Sequence, residues 1–438
     1  MSDRMSPVDA AWLHMDQPTN LMVITSVVWF DQPVDASAIT DAIRTRVVDA
    51  YPRFRQRVVD SEVGRPRWVD DPDFDLSSHL HHVALPHPGD DAALRTFVGE
   101  VMGQDLDRRR PLWQAWIVDG YRDGAAVVQR IHHCMADGIS LGDVLMALVD
   151  DDTPAQPPVA HPDGLRRVAE LAHAGLELAT HPTRLAGAAR TGARILDAIA
   201  VETLTGRDAP TALRGPQSGR KVVAWSDPLD LAEVKRIARD RDATVNDVLM
   251  AALSGAIGRY LDDVGTPAER IRAMVPVSMR AAGLPVPSTL GNDFALVLCP
   301  LPVGERDPDE RLRAVRDAMD AIKGSAQAVT SLGLLAAMGL SPRMIEGLLV
   351  GFYGDKASLV LTNVPGPRHR VSVAGHPVAG ILSWAPQSGS IGTSATIFSY
   401  AGQVFVGICT DPAMVPDPDR IAGGLLDEIR RLATAEVP

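Results

Sequence analysis

Apolar positions change period several times along the chain, and each change marks an element. Residues 21–30 (LMVITSVVWF) are almost continuously apolar and β-branched, the pattern of a strand buried on both faces. Residues 38–48 shift to amphipathic helical spacing. Segments 112–119 and 125–133 read as strands, and 138–149 as a helix carrying Ile139, Leu141, Val144, Leu145 and Leu148. A Pro-rich stretch at 151–162 (DDTPAQPPVAHP) breaks the pattern. The Ala-rich segment 164–204 predicts helices interrupted at His181-Pro182, and 205–220 predicts a loop. From Lys221 the alternation resumes, with helices at 229–240 and 244–261 and strands at 272–277 and 294–301. A helical tract (310–354), strands at 358–362, 370–373, 393–400 and 403–409, and a helix at 417–435 complete the chain. The pattern predicts a mixed α/β fold in two halves, 1–150 and 221–438, joined by a helical crossover linker at 151–220.

At about 100–200 residues per domain, 438 residues fit two such halves. Hydrophobic residues at 46% and charged residues at 22% exclude a disordered, collagen-like or coiled-coil chain. Lys+Arg of 43 against Asp+Glu of 55 gives a formal net charge of -12, which argues against nucleic acid as a partner. Cys134, Cys299 and Cys409 are too sparse for a disulfide framework or a CxxC metal site, and predict reduced thiols in the cytoplasm. No signal-peptide pattern opens the chain, and no run of about 18 apolar residues predicts a membrane span.

The common catalytic signatures are absent: no GxSxG elbow, HExxH or GxGxxG occurs, and the Gly215–Lys221 string GPQSGRK lacks the GK[ST] ending of a phosphate loop. His79, His81 and His82 form a cluster, but no nearby Cys or Glu completes a metal set. Alternation in an extended segment predicts a half-exposed surface strand there, with His79 and His81 on one face and His82 on the other. No metal site is predicted.

The strongest signal is His132-His133-Cys134-Met135-Ala136-Asp137-Gly138, which closes one strand and opens the next helix. Open α/β sheets present reactive groups at strand ends. An imidazole is available as a general base near neutral pH. Adjacent strand residues point to opposite faces, so one histidine of the pair meets the substrate, and spacing alone does not say which. Asp137 either orients a histidine or pairs with an arginine, and Gly138 permits a tight turn at the helix start.

This HHxxxDG string resembles the active-site motif of acyl-CoA-dependent acyltransferases related to chloramphenicol acetyltransferase and to peptide-synthetase condensation domains. Further segments are similar to bacterial wax ester synthase/diacylglycerol acyltransferases. They are, in order, Ser6-Pro7-Val8-Asp9-Ala10 with Leu13, Pro111-Leu112-Trp113, Asn246-Asp247-Val248, Val275 to Arg280, Gly291-Asn292 and Asn363-Val364-Pro365-Gly366-Pro367. The resemblance spans residues 5–420.

It implies two chloramphenicol-acetyltransferase-like domains with a tunnel between them. It also implies O-acyl transfer from acyl-CoA to a long-chain alcohol or a diacylglycerol, with no cofactor, since acyl-CoA is a substrate. His133 is then the general base and His132 its support. Asp137 is structural, paired with an arginine in the segment Tyr51 to Arg57, where Arg55 best matches the family position. Pro111, Leu112, Trp113, Asn246, Asp247, Asn292 and Asn363 are the implied substrate-side residues. Each also has a plainer role: Pro111 to Trp113 as core, Asn246 and Asp247 as helix capping after Thr244, and Asn363 to Pro367 as a turn. Arg108 to Arg110 and Arg368 to Arg370 are basic clusters that could meet CoA phosphates. Cys134, beside the base, is a covalent candidate only if the family's direct transfer is abandoned. The apolar stretch 331–350 reads either as a buried helix pair or as a lipid-facing surface or channel wall, and the resemblance implies contact of the chain with a membrane or lipid droplet. Two alternatives stay open: a condensation-type or polyketide-associated enzyme with a carrier-protein donor, and a non-catalytic lipid-binding member.

Overall fold

The computed structural model describes residues 2–60, 65–136, 138–150, 206–278, 294–323, 354–387 and 389–434. It opens with β1 (Ser2–Arg4) and helix α1 (Pro7–His14). Ser6 caps this helix, its Oγ accepting the Asp9 amide at 3.0 Å, with Pro7 in the first turn. The apolar run expected at 21–30 is β2 (Val23–Phe30). Helix α2 (Ala36–Ile43) continues as a wider helical turn over Arg44–Val48, so the amphipathic segment is real but changes its winding. β3 (Gln56–Val59) and β4 (Arg67–Asp70) form a small sheet in the order β1-β4-β3.

The first main sheet is built from β2, β5 (Leu80–Ala84), β6 (Trp113–Tyr121) and β7 (Gly124–His132), with helix α3 (Asp91–Met102) between β5 and β6. Helix α4 (Gly138–Leu148) follows β7, and Gly138 is its first residue. The second half supplies β8 (Val222–Trp225), β9 (Leu229–Asp230), α5 (Leu231–Asp240), α6 (Val245–Asp263), β10 (Ile271–Ser278), β11 (Phe294–Leu301) and α7 (Pro308–Lys323). It then adds β12 (Leu359–Pro365), the short pair β13 (Ser372–Val373) and β14 (His376–Pro377), β15 (Gly380–Trp384), β16 (Thr393–Tyr400), β17 (Gln403–Thr410) and α8 (Asp419–Thr434). Its sheet runs β11-β10-β12-β16-β17-β8, with β9 also on β17.

This second sheet is covered on both faces, and strand alternation divides its residues between two cores. Ala273, Leu359, Ile397 and Val406 join the core packed under α5, α6, α7 and α8. Met274, Val360, Phe398 and Phe405 join the core of the N-terminal half. The two halves therefore share one apolar interface, which explains why β11 reads as an unbroken apolar run.

Two contacts cross the boundaries expected from the sequence. The first sheet has the order β15-β2-β7-β6-β5, so a strand from the C-terminal half completes it. β15 pairs antiparallel with β2, Gly380 opposite Trp29. A Cβ at Gly380 would lie 2.0 Å from the Trp29 ring, so only glycine allows this approach. Residues 206–220 also pack on the C-terminal half: one Arg214 nitrogen donates to the Asp355 and Ala357 carbonyls at 2.7 and 3.1 Å. The linker helices expected at 164–204 lie outside the described residues. Among the described residues no helix is long and apolar enough to cross a membrane.

Candidate active site

The motif sits where expected, at the end of β7. This strand is central, paired with β2 on one side and β6 on the other. His132 is its last residue, and His133 begins the turn beyond it. The backbone there is pinned on both edges: the His132 amide donates to the Leu112 carbonyl at 2.9 Å, and the His133 amide to the Met22 carbonyl at 2.7 Å.

The two imidazoles lead to different environments. His133 is 6% exposed and lies against the indole of Trp12 from α1, with ring centroids 4.1 Å apart and planes 13° from parallel. His132 is 1% exposed. Its Nδ1 accepts the Cys134 amide at 3.1 Å, which requires that nitrogen to be bare and places the proton of the neutral ring on Nε2. Nε2 faces Asp16 Oδ2 at 3.6 Å, an electrostatic contact just beyond hydrogen-bond length. The Met22 amide donates to Asp16 Oδ1 at 2.7 Å, and Arg108 Nη2 to Oδ2 at 2.9 Å. Burial alone would raise the Asp16 pKa, but His132, the Met22 amide and Arg108 outweigh it and hold the carboxyl at about 2.

Cys134 is fully buried, and desolvation pushes its thiol well above the usual range, which disfavours the thiolate that a nucleophile needs. Arg55, the expected partner of Asp137, is exposed, with Nη1 3.5 Å from Asp49. It ends a short 3-10 turn that turns its side chain outward. Arg53, two residues earlier, is the one turned inward, its guanidinium 4.1 Å over the Trp68 ring and within the field of Cys134 and Asp9. Asp137 itself lies outside the described residues, as do Asn292 and the apolar stretch 331–350. Gly138 opens α4.

Pro111, Leu112 and Trp113 are buried beside the end of β7. Trp113 Nε1 donates to the Phe54 carbonyl at 2.9 Å, and Leu112 takes the His132 amide. His79 stacks between Phe74 and Trp113, at 5.3 and 4.7 Å, and its Nδ1 lies 2.8 Å from the Trp113 carbonyl. It precedes β5 and is 2% exposed, so the expected surface strand begins one residue later, and burial lowers its pKa. His82, on the other face of the strand, pairs with Asp119 at 2.7 Å. No metal-ligand group occurs among the described residues.

Asp247 is a helix cap: its Oδ2 accepts from the Thr244 amide at 2.9 Å and the Thr244 hydroxyl at 2.7 Å. Asn246 has a different partner. Asn363 Nδ2, at the end of β12, donates to Asn246 Oδ1 at 2.9 Å, so two implied substrate-side residues 117 positions apart meet. Asn363 is exposed. The arginines at 108–110 are engaged by Asp16 and Asp107, leaving Arg109 exposed on its partner. Two surface clefts of about 300 and 340 Å³ lie among α5, α6, α7 and α8, and His133 lines neither.

Trp12 and Asp16 are the site residues that sequence reading missed. The Ser-Pro helix start before Trp12 was a readable signal for α1. Nothing local links Asp16 to a residue 116 positions away.

Comparison with known proteins bears on this geometry. A family described as the wax ester synthase/diacylglycerol acyltransferase catalytic domain matches residues 5–249, and the C-terminal domain of that family matches residues 290–433. A Mycobacterium tuberculosis protein named "Probable diacyglycerol O-acyltransferase tgs1" is 30% identical over 98% of this chain and 96% of its own length. The wax ester synthase/diacylglycerol acyltransferase of Marinobacter aquaeolei VT8 has a similar fold, with TM-score 0.71 and 22% identity over 98% of both chains. The first condensation domain of the calcium-dependent antibiotic synthetase also shares the fold, with TM-score 0.62 and 17% identity over 99% of this chain and 96% of that one.

Proposed function

The chain belongs to the wax ester synthase/diacylglycerol acyltransferase family, and from that premise we propose that His133 is the general base for its acyl transfer. The reaction moves a fatty acyl group from acyl-CoA to the hydroxyl of a long-chain alcohol or a diacylglycerol. His133 takes the proton as the acceptor oxygen attacks the thioester carbonyl. The C–O bond forms, the C–S bond breaks, and the proton passes from the imidazolium to the departing CoA thiolate. A positioned base supplies roughly 10²–10⁴-fold of the rate. Holding both substrates together supplies more.

The observation that carries this reading is the fixed imidazole of His133 at the end of a central strand. Its amide is bonded to Met22 and its ring lies on Trp12. Cys134, the neighbouring alternative nucleophile, is sealed in the core. Apolar acceptors reside in lipid, so the reading includes peripheral contact of this cytoplasmic enzyme with a membrane or lipid-droplet surface.

The test incubates the purified chain with palmitoyl-CoA and a panel of long-chain alcohols and diacylglycerols, reading CoA release and products by thin-layer chromatography. His133→Ala should fold normally and lose transfer. A His133→Ala protein that keeps its activity overturns the assignment.

A further inference from the structure

Asp16 stands on the segment after α1, far in sequence from the motif, yet its two oxygens lead to both sides of the base. Through Oδ1 it accepts the Met22 amide, and the Met22 carbonyl in turn accepts the His133 amide. Through Oδ2 it faces His132 Nε2, and His132 Nδ1 accepts the Cys134 amide. The backbone immediately before and immediately after the His133 side chain is thus tied, by two routes, to one carboxylate. Asp16 is 14% exposed and also anchors Arg108. It lies within the field of Arg130, a fully buried arginine two residues before His132 on β7.

We propose that Asp16 is a positioning residue for the base: it holds His132 in the Nε2-protonated form, so that Nδ1 stays free to latch the Cys134 amide and fix the turn that aims His133. This rests on the assignment of His133 as base.

The chemistry of the alternative shows why a carboxylate is needed. A carboxylate only accepts, so the ring edge facing it must be the protonated one. In Asp16→Asn the side-chain oxygen can still take the Met22 amide. Its NH₂ group then faces Arg108 and His132 Nε2–H, both donors. The neutral ring relieves the conflict by moving its proton to Nδ1, which turns a donor against the Cys134 amide and breaks the latch.

The experiment compares wild type, Asp16→Asn and Asp16→Glu. Protein carrying ¹⁵N-histidine is examined by NMR, with the His132 signals assigned by their loss in His132→Asn. The expected result is an Nε2-protonated ring in wild type and an Nδ1-protonated ring in Asp16→Asn. With palmitoyl-CoA and a fixed acceptor, kcat should fall about 10²-fold, the cost of a misplacement of order 1 Å, while KM for palmitoyl-CoA stays within about twofold. Asp16→Glu keeps the charge opposite Arg108 and Arg130, so it serves if Asp16→Asn does not fold. Its displaced carboxylate should cost about 10-fold in kcat at unchanged KM.

An unchanged His132 tautomer in Asp16→Asn overturns the proposal. So does a kcat within threefold of wild type in Asp16→Asn, or within twofold in Asp16→Glu when that variant stands in. A loss confined to KM overturns it as well. The tautomer readout does not depend on turnover. If His133→Ala stays active while the tautomer switches as expected, the assignment of the base fails and the Asp16–His132 latch stands.

Discussion

Trp12 is the side chain through which the N-terminal helix reaches the chemistry, and its replacement separates packing from catalysis. The indole is 5% exposed and stacks on His133 at 4.1 Å. Trp12→Ala should cost about 3–5 kcal/mol of stability, the usual range for a buried Trp. The catalytic part has a different origin. When His133 accepts a proton its ring becomes a cation lying on an indole face. Such a contact is worth about 0.5–2 kcal/mol. At about 1.36 kcal/mol per tenfold, its loss slows proton transfer by roughly 2- to 30-fold. Trp12→Phe keeps a weaker aromatic face, and Trp12→Leu keeps only apolar bulk. Turnover measured well below every melting temperature should therefore rank Trp above Phe above Leu, while thermal melts report packing separately. Equal kcat for the Phe and Leu variants would refute the argument and reduce Trp12 to a core residue.

Two further expectations follow from the same geometry. Cys134→Ala should keep kcat within about threefold at a stability cost on the order of 1 kcal/mol, and iodoacetamide should leave the native enzyme active. Rapid inactivation by alkylation at Cys134 would contradict the buried, protonated thiol. Asp16 links stability to acid: its folded pKa of about 2 lies below the ordinary 3.8, so its contribution is complete above pH 4 and is lost as pH falls through 2. The gap in urea unfolding free energy between wild type and Asp16→Asn should shrink by about 2 kcal/mol from pH 5 to pH 2. A gap independent of pH would show that the carboxylate is not held down in the folded chain.

What the sequence made legible follows from which forces act locally. β2 and β11 were readable because strands covered on both faces are apolar at nearly every position, and β7, β10, β16 and β17 because β-branched and apolar residues still dominate them. The helices after Asp230 and Thr244 were readable because their caps are local: the capping box of Thr244 and Asp247 is closed within four residues. The motif at 132–138 was readable as chemistry because its residues are consecutive. The failures share the opposite property. β15 is five residues long, and its partner, β2, lies some 350 positions earlier, so no local period announces it. His79 carries the same pattern as its neighbours, and only the rings of Phe74 and Trp113 make it a core residue. Arg53 and Arg55 lie two positions apart on one short 3-10 turn, and the direction of that turn, not composition, decides which one points inward. The support of the base is the extreme case. Trp12, Asp16 and Met22 come from one end of the chain, Arg108 and Leu112 from the segment leading into β6, and the histidines from the end of β7. A reactive group needs only a strand end to be presented. Holding it to within a fraction of an ångström takes contacts from several directions at once, and those exist only after the sheet has brought its strands together.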